Sequence, residues 1–160
     1  MIVWTIILID TQRMNLILWL QFKKINSKYE LKKSFKIRKT VFCNEQKISE
    51  KIEFDNLDHL CDHYLIYDDK KAIATGRVRL KNKNSYKIER VAVLKEFRKL
   101  KIGSLLINEI VNIYKNIEDI DIILHSQVAV EKFYKNLNFF SYGNVFFEDG
   151  ISHIAMKFEK

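Results

Sequence analysis

Between residues 90 and 107 the chain changes period within one short stretch, RVAVLKEFRKLKIGSLLI, which begins as a strand and ends as a helix with a basic turn between them. A strand that runs straight into a helix belongs to an α/β arrangement, and the neighbouring segments fit that reading. Residues 14–23, MNLILWLQFK, read as the first strand, and Leu31, Phe35, Arg38 and Phe42 fall at helical spacing over roughly residues 28–43. A polar, acidic stretch follows, ISEKIEFDNLDHLCD, and then HYLIYDD and KKAIATGRVRL read as two strands joined by a turn at Asp68–Asp69. YKIERVAV is the fourth strand and IDIILH the fifth, the latter apolar enough to be covered on both faces.

Between the fourth and fifth strands, Leu106, Ile110, Ile113 and Ile117 make an apolar stripe on a helix over residues 102–117, with Asn108, Glu109 and Asn112 opposite. SQVAVEKFYKNLN reads as a short helix with Ser126 as its cap and Asn138 at the left-handed C-terminal position. FSYGNVFFE and ISHIAMKF flank Asp149–Gly150, a strong hairpin signal. The sum is a mixed sheet of about seven strands with helices packed on it.

The chain has 160 residues, a length that suits one domain with a real core. Residues 1–13 are expected to be an N-terminal extension and residues 14–160 the domain, with Met14 an alternative start. The apolar opening is interrupted by Asp10 and Arg13, so it lacks the run of about 20 residues that a membrane-spanning helix needs. It also lacks the basic start and small-residue cleavage site of a secretory signal. Cys43 and Cys61 make no disulfide framework and point to a reduced, cytoplasmic protein.

The net charge of +8 suits nucleic acid, an anionic membrane or a phosphorylated small molecule. Most of the excess is lysine spread along the chain, with no dense basic block or nucleic-acid reader motif, so nucleic acid and membrane are not the expected partners. His59, Cys61 and His63 alternate along an extended segment and, with Cys43, raise the question of zinc. H-x-C-x-H is not a common structural-zinc spacing, and no metal is expected.

The turn in EFRKLKIGS has a physical reading of its own. A strand leading into a helix N-terminus presents unpaired backbone N–H groups and the positive end of the helix dipole, which suits a phosphate. Arg98, Lys99 and Lys101 surround the turn, and Gly103, which lacks a Cβ, permits close approach. A solvated basic loop before an ordinary helix is the plainer alternative.

E-R-V-A-V-x-x-x-x-R-x-x-x-I-G-S-x-L resembles the acetyl-CoA-binding motif of the GNAT N-acetyltransferase superfamily. The family signature, Gln/Arg-x-x-Gly-x-Gly/Ala after a strand, is matched here by Arg98-Lys99-Leu100-Lys101-Ile102-Gly103, with Lys101 in place of the first glycine. FYKNLNFFSYG resembles the family's F-Y-x-x-L-G-F segment, with Asn138 for Gly. RKTVFCNEQKIS, ATGRVR, LHSQ and FFEDGISHIAM look like a bacterial-type subgroup of small GNAT proteins, so the likeness spans about residues 28–156.

The resemblance implies an α/β GNAT fold in which strands 4 and 5 splay apart and the pantetheine arm adds to the fourth like another strand. Backbone groups of Val91, Ala92 and Val93 would then meet pantetheine, and backbone N–H groups from Arg98 through Lys99, Lys101, Ile102 and Gly103 to Ser104 would take the pyrophosphate. The implied chemistry is direct acyl transfer from acetyl-CoA to an amine, with no metal. Tyr134 matches the general acid, because a phenol with a reference pKa near 10 can donate to the departing sulfur. A backbone N–H near Val91 or Val93 is the family-like oxyanion donor.

Glu89 is the candidate base, since it alternates onto the face of Val91 and Val93. KIERVAV also resembles the I-E-D-I-A-V segment of glucosamine-6-phosphate N-acetyltransferases, with Arg90 in place of Asp. The Lys/Ile/Asn-rich composition is shared with an apicomplexan branch of such enzymes. Glu45, Gln46, Arg77, His125 and His153 are candidate substrate contacts.

The expected function is therefore acetyl-CoA-dependent N-acetylation of a small phosphorylated amine, glucosamine 6-phosphate first, by a cytoplasmic protein that is a homodimer by family resemblance. Another small amine or a protein Lys/N-terminus is the alternative acceptor. A non-catalytic CoA-binding regulator and a basic nucleic-acid-binding module are the rival classes.

Overall fold

The computed structural model describes residues 2–11 and 14–160, with side chains from Trp19 onward. Eight strands form one sheet in the order β1-β2-β3-β4-β5-β6-β8-β7. They are β1 (Ile2–Thr11), β2 (Met14–Lys24), β3 (Cys61–Asp68), β4 (Lys71–Asn82), β5 (Ser85–Val93), β6 (Asp121–Gln127), β7 (Phe139–Glu148) and β8 (Ile151–Phe158). The seven expected strands are present, and β1 lies within the anticipated extension, antiparallel to β2 from Ile2↔Lys23 to Thr11↔Met14. Met1, Gln12 and Arg13 lie outside the described residues.

The helices are α1 (Lys28–Arg38), α2 (Glu50–Glu53), α3 (Ile102–Tyr114) and α4 (Glu131–Lys135). Ser27 caps α1, its Oγ accepting from the Glu30 N–H, and a π-helical stretch continues the helix from Lys39 to Glu45. The buried face is Glu30, Ser34, Ile37 and Arg38, then Val41, one position off the expected stripe in its first turns. Helix α3 ends at Tyr114, three residues before the expected end, and Ile117 is exposed. Ser126 does not cap a helix: β6 runs on to Gln127, and the Ser126 hydroxyl donates to the Gln127 carbonyl.

Parallel pairing joins β5 to β6 from Ser85↔Asp121 to Ile88↔Leu124. On its other edge β6 pairs antiparallel with β8 from Ile123↔Lys157 to Gln127↔His153. The parallel pairing expected for strands 4 and 5 of the GNAT fold is thus short, four residue pairs.

The chain divides into two compact units, residues 1–77 with 90–106, and residues 78–89 with 107–160. In the first, Ile37, Val41, Leu65, Tyr67 and Ala92 make a core cluster. In the second, Ile107, Ile110, Val111, Ile122, Leu124, Phe139 and Met156 are buried. The tight hairpin between β7 and β8 has left-handed φ at both Asp149 (52°) and Gly150 (77°), the conformation a twisted two-residue hairpin requires. Asn138, with φ 62°, takes the left-handed position assigned to it.

Candidate active site

In the first unit, β5 gives way to a short turn that leads into α3. Lys99 and Lys101 both have left-handed φ, 66° and 58°. Lys101 thus adopts a left-handed conformation that favours glycine, at a cost of order 1 kcal/mol. Left-handed residues in such a turn point successive N–H groups into one concavity. The α-helical bonding of α3 begins where the Leu105 N–H donates to the Lys101 carbonyl at 3.0 Å, so the N–H groups of Ile102, Gly103 and Ser104 precede it.

Arg98 braces this turn. Its Nε donates to the Val93 carbonyl at 3.0 Å and its Nη2 pairs with Glu45 Oε2 at 2.6 Å. Glu45, expected on the acceptor side, is therefore a partner of the turn, and Gln46 beside it is exposed. Lys99 and Lys101 are exposed. Backbone donors, a helix start and two solvated cations fit a pyrophosphate, so the residues present suit the end of a CoA molecule.

Immediately before Val91, β5 is distorted: Arg90 has φ 54°, unusual inside a strand. Its guanidinium is gripped from α2 and the residues after it, donating to the carbonyls of Ile52 and Glu53 (both 3.2 Å) and pairing with Glu53 Oε2 at 3.0 Å and Asp55 Oδ2 at 3.2 Å. The stretch read as a polar loop thus supplies the carboxylates of a buried ion cluster. Arg38, 1% exposed, pairs with Glu53 (2.6 Å) and Asp58 (2.5 Å), and its guanidinium lies near the rings of Phe35 (5.2 Å) and Phe54 (5.1 Å).

Arg77, also 1% exposed, pairs with Asp55 (2.6 Å) and Asp58 (2.9 Å). Its expected role as a substrate contact is corrected by this burial, because its guanidinium is committed to two carboxylates. The Arg77 hydrogen bonds hold the Asp55 carboxyl well below the usual range. Burial pushes Asp58 up, but the Arg38 hydrogen bond and charge outweigh it and leave that carboxyl lowered. Burial dominates at Glu53, whose carboxyl is raised despite the arginines around it. His63 bonds the Asp58 carbonyl through Nε2 at 2.9 Å, and no group of three or more His, Cys, Asp or Glu among the described residues is placed to hold a metal.

In the second unit, α4 carries Tyr134, half-buried between Phe133 (ring centroids 4.9 Å apart) and Phe139 (6.0 Å). Burial pushes its phenol up to about 12, so the hydroxyl keeps its proton at neutral pH. Glu89 accepts from Arg79 at 3.1 and 3.4 Å and lies 3.3 Å from Lys87 Nζ. Lys87 in turn lies 3.2 Å from His125 Nδ1, which meets Glu148 Oε1 at 2.7 Å. Phe146 stands edge-on to His125 (4.9 Å) and stacks on His153 (6.1 Å), whose Nδ1 bonds the Ile151 carbonyl at 2.9 Å.

Three of the expected residues, Glu89, His125 and His153, are thus gathered in one cluster, together with Lys87, Arg79 and Glu148, which sequence reasoning missed. Glu148 was legible only as the residue before the hairpin turn, since nothing local links it to a histidine 23 residues away.

Residues 27–160 match the acetyltransferase (GNAT) domain family. The Bacillus subtilis (strain 168) protein YyaT is 34% identical over 140 residues, 86% of this chain and 94% of that protein. An acyl-CoA N-acyltransferase from Pseudomonas aeruginosa shares the fold with a TM-score of 0.77 at 24% identity, over 89% of this chain and 99% of that one. A GNAT family acetyltransferase from Elizabethkingia anophelis, solved with acetyl-CoA bound, superposes with a TM-score of 0.62 at 15% identity, over 88% of this chain and 98% of that one.

Proposed function

Because the chain belongs to the GNAT acetyltransferase family, we propose that it moves an acetyl group directly from acetyl-CoA to a primary amine. The observation that carries this reading is the turn from Arg98 to Ser104, with left-handed Lys99 and Lys101 before the open N–H groups of α3. Those N–H groups would hold the pyrophosphate, and Lys99 and Lys101 would add charge. The backbone of Val91, Ala92 and Val93, following the Arg90 distortion, would receive the pantetheine arm. Tyr134 would give its proton to the departing sulfur. Cys43 and Cys61, which form no disulfide, suit a reducing, cytoplasmic setting, and among the described residues no helix is long and apolar enough to cross a membrane.

The +8 balance favours an acceptor that carries a phosphate, and glucosamine 6-phosphate heads the panel to be tried. Arg38, Arg77 and Arg90 are matched by Glu53, Asp55 and Asp58, which leaves exposed lysines to meet such a phosphate.

Acetyl-CoA at about a hundredfold over its Kd should stabilise the protein by ~2.7 kcal/mol, a rise in Tm of roughly 5–11 °C. Thiol release across amino sugars, small amines and peptides then identifies the acceptor. Gly103→Leu should raise the Kd for acetyl-CoA by about tenfold or more without lowering the Tm of the unliganded protein, because leucine is the better helix former. Unchanged affinity in that variant would remove the turn from the cofactor site.

A further inference from the structure

We propose that His125 is the group that accepts the proton from the amine, with Glu148 as its positioning partner; the inference rests on the acyl-transfer reading above. The registers place the cluster on one side of the sheet. Lys87 pairs with Ile123, two residues before His125; His153 pairs with Gln127, two residues after it; and Phe146 pairs with His153. With side chains alternating along each strand, Lys87, Glu89, His125, His153, Phe146 and Glu148 share a face. His125 is also the first residue of β6 beyond the last β5 pair, Ile88↔Leu124.

The hydrogen bond at Nδ1 sets the tautomer. The Glu148 carboxyl is lowered: burial raises it, but the hydrogen bond from His125 and the charge of Lys87 pull it down. An ionised carboxylate only accepts and the Lys87 ammonium, 3.2 Å from the same nitrogen, only donates, so Nδ1 can satisfy one of them; the shorter 2.7 Å contact to Glu148 places the proton on Nδ1 and leaves the Nε2 lone pair to act as a base. The edge-on ring of Phe146 holds the imidazole plane, and 22% exposure of the side chain leaves it within reach of a solute.

The surroundings also keep the ring neutral. Burial lowers its pKa, Glu148 pulls it back up, and the charges of Lys87 and Lys81 push it down again, leaving it below its ordinary value of 6.5. Glu89 faces Lys87, and His153 faces Glu148 across Phe146. Glu89 itself is ill suited to be the base, because its oxygens already accept from Arg79 and lie against Lys87, with the side chain only 7% exposed.

The transfer balances with these groups. The amine nitrogen forms its bond to the acyl carbon as the carbon–sulfur bond breaks. The amine proton passes to His125 Nε2, and the Tyr134 proton passes to sulfur. The imidazolium then releases a proton to water and the tyrosinate takes one up.

The first test is nitrogen-15 NMR of the full-length chain, with the His125 ring assigned by its disappearance in His125→Gln. The neutral ring should carry its hydrogen on Nδ1; a ring protonated at Nε2 would overturn the proposal whatever the protein acetylates. The second is the pH profile of kcat/KM with acetyl-CoA and an amine that the panel identifies, in which the acid limb of the unaltered protein should lie below about 6.5.

Lys87→Met removes a positive charge, raises the imidazole pKa and should move the acid limb to higher pH. Glu148→Gln removes the stabilising carboxylate and should move it to lower pH. His125→Gln should lower kcat about 100-fold or more and abolish the limb, with KM for acetyl-CoA within about threefold. A retained kcat in His125→Gln, or a limb that does not move in opposite directions in the other two, overturns the assignment. An unaltered protein that acetylates nothing sinks the acyl-transfer reading and the base with it, so the two failures are distinguishable.

Discussion

Tyr134→Phe is expected to lower kcat by about 10²–10⁴-fold while the KM for acetyl-CoA stays within a few-fold. The ring is held edge-on by Phe133 and Phe139, and phenylalanine preserves both contacts, so the variant should fold and bind as before. Only the hydroxyl is lost. Burial pushes that phenol up to about 12, which keeps it protonated at neutral pH and makes it a donor rather than a base. The departing thiolate must then take its proton from water. Steady-state kinetics at saturating amine check this, and full turnover in the variant would remove Tyr134 as the acid.

Arg38→Met should destabilise the protein by about 3–5 kcal/mol, a fall in Tm of roughly 6–20 °C. Methionine can replace much of the aliphatic stem between Phe35 and Phe54, but it leaves Glu53, 3% exposed, and Asp58 short of a cation. The cost arises from stranding buried charge, so replacing the carboxylate partners as well should recover part of it. Chemical denaturation of the single and combined variants measures the difference, and a loss below about 1 kcal/mol would show that water already satisfies the cluster. The same cluster should make the protein sensitive to acid. Asp55 and Asp58 have lowered carboxyls, so their contribution is complete above about pH 4 and is lost as the pH falls below it. The raised carboxyl of Glu53 acts in the opposite sense, its contribution weakening as the pH rises above about 4.

The turn from Arg98 to Ser104 was largely legible in the sequence, since a basic strand-to-helix junction has few conformations available. The left-handed positions at Asn138, Asp149 and Gly150 were legible for a similar reason: they are consequences of local sterics. Less legible was the face of α1, where the period suggested Leu31, Phe35, Arg38 and Phe42. The buried face runs instead through Glu30, Ser34, Ile37 and Arg38, and a buried Arg38 became the residue around which the acidic segment is organised. Hydrophobic periodicity carries no signal for an arginine that is buried because two carboxylates and two aromatic rings surround it.

By itself the sequence determined the order of the strands and helices along the chain, the conformation of its tight turns, and a basic turn that leads from a strand into a helix. Each of these depends on residues a few positions apart. Only the tertiary structure decided what each charged side chain does: that Arg77 and Arg90 are matched by acidic residues 19 to 37 positions away, and that His125 meets Lys87 and Glu148 at separations of 38 and 23. Charge and proton affinity are set by distance in space and by loss of water, and the linear order of residues encodes neither.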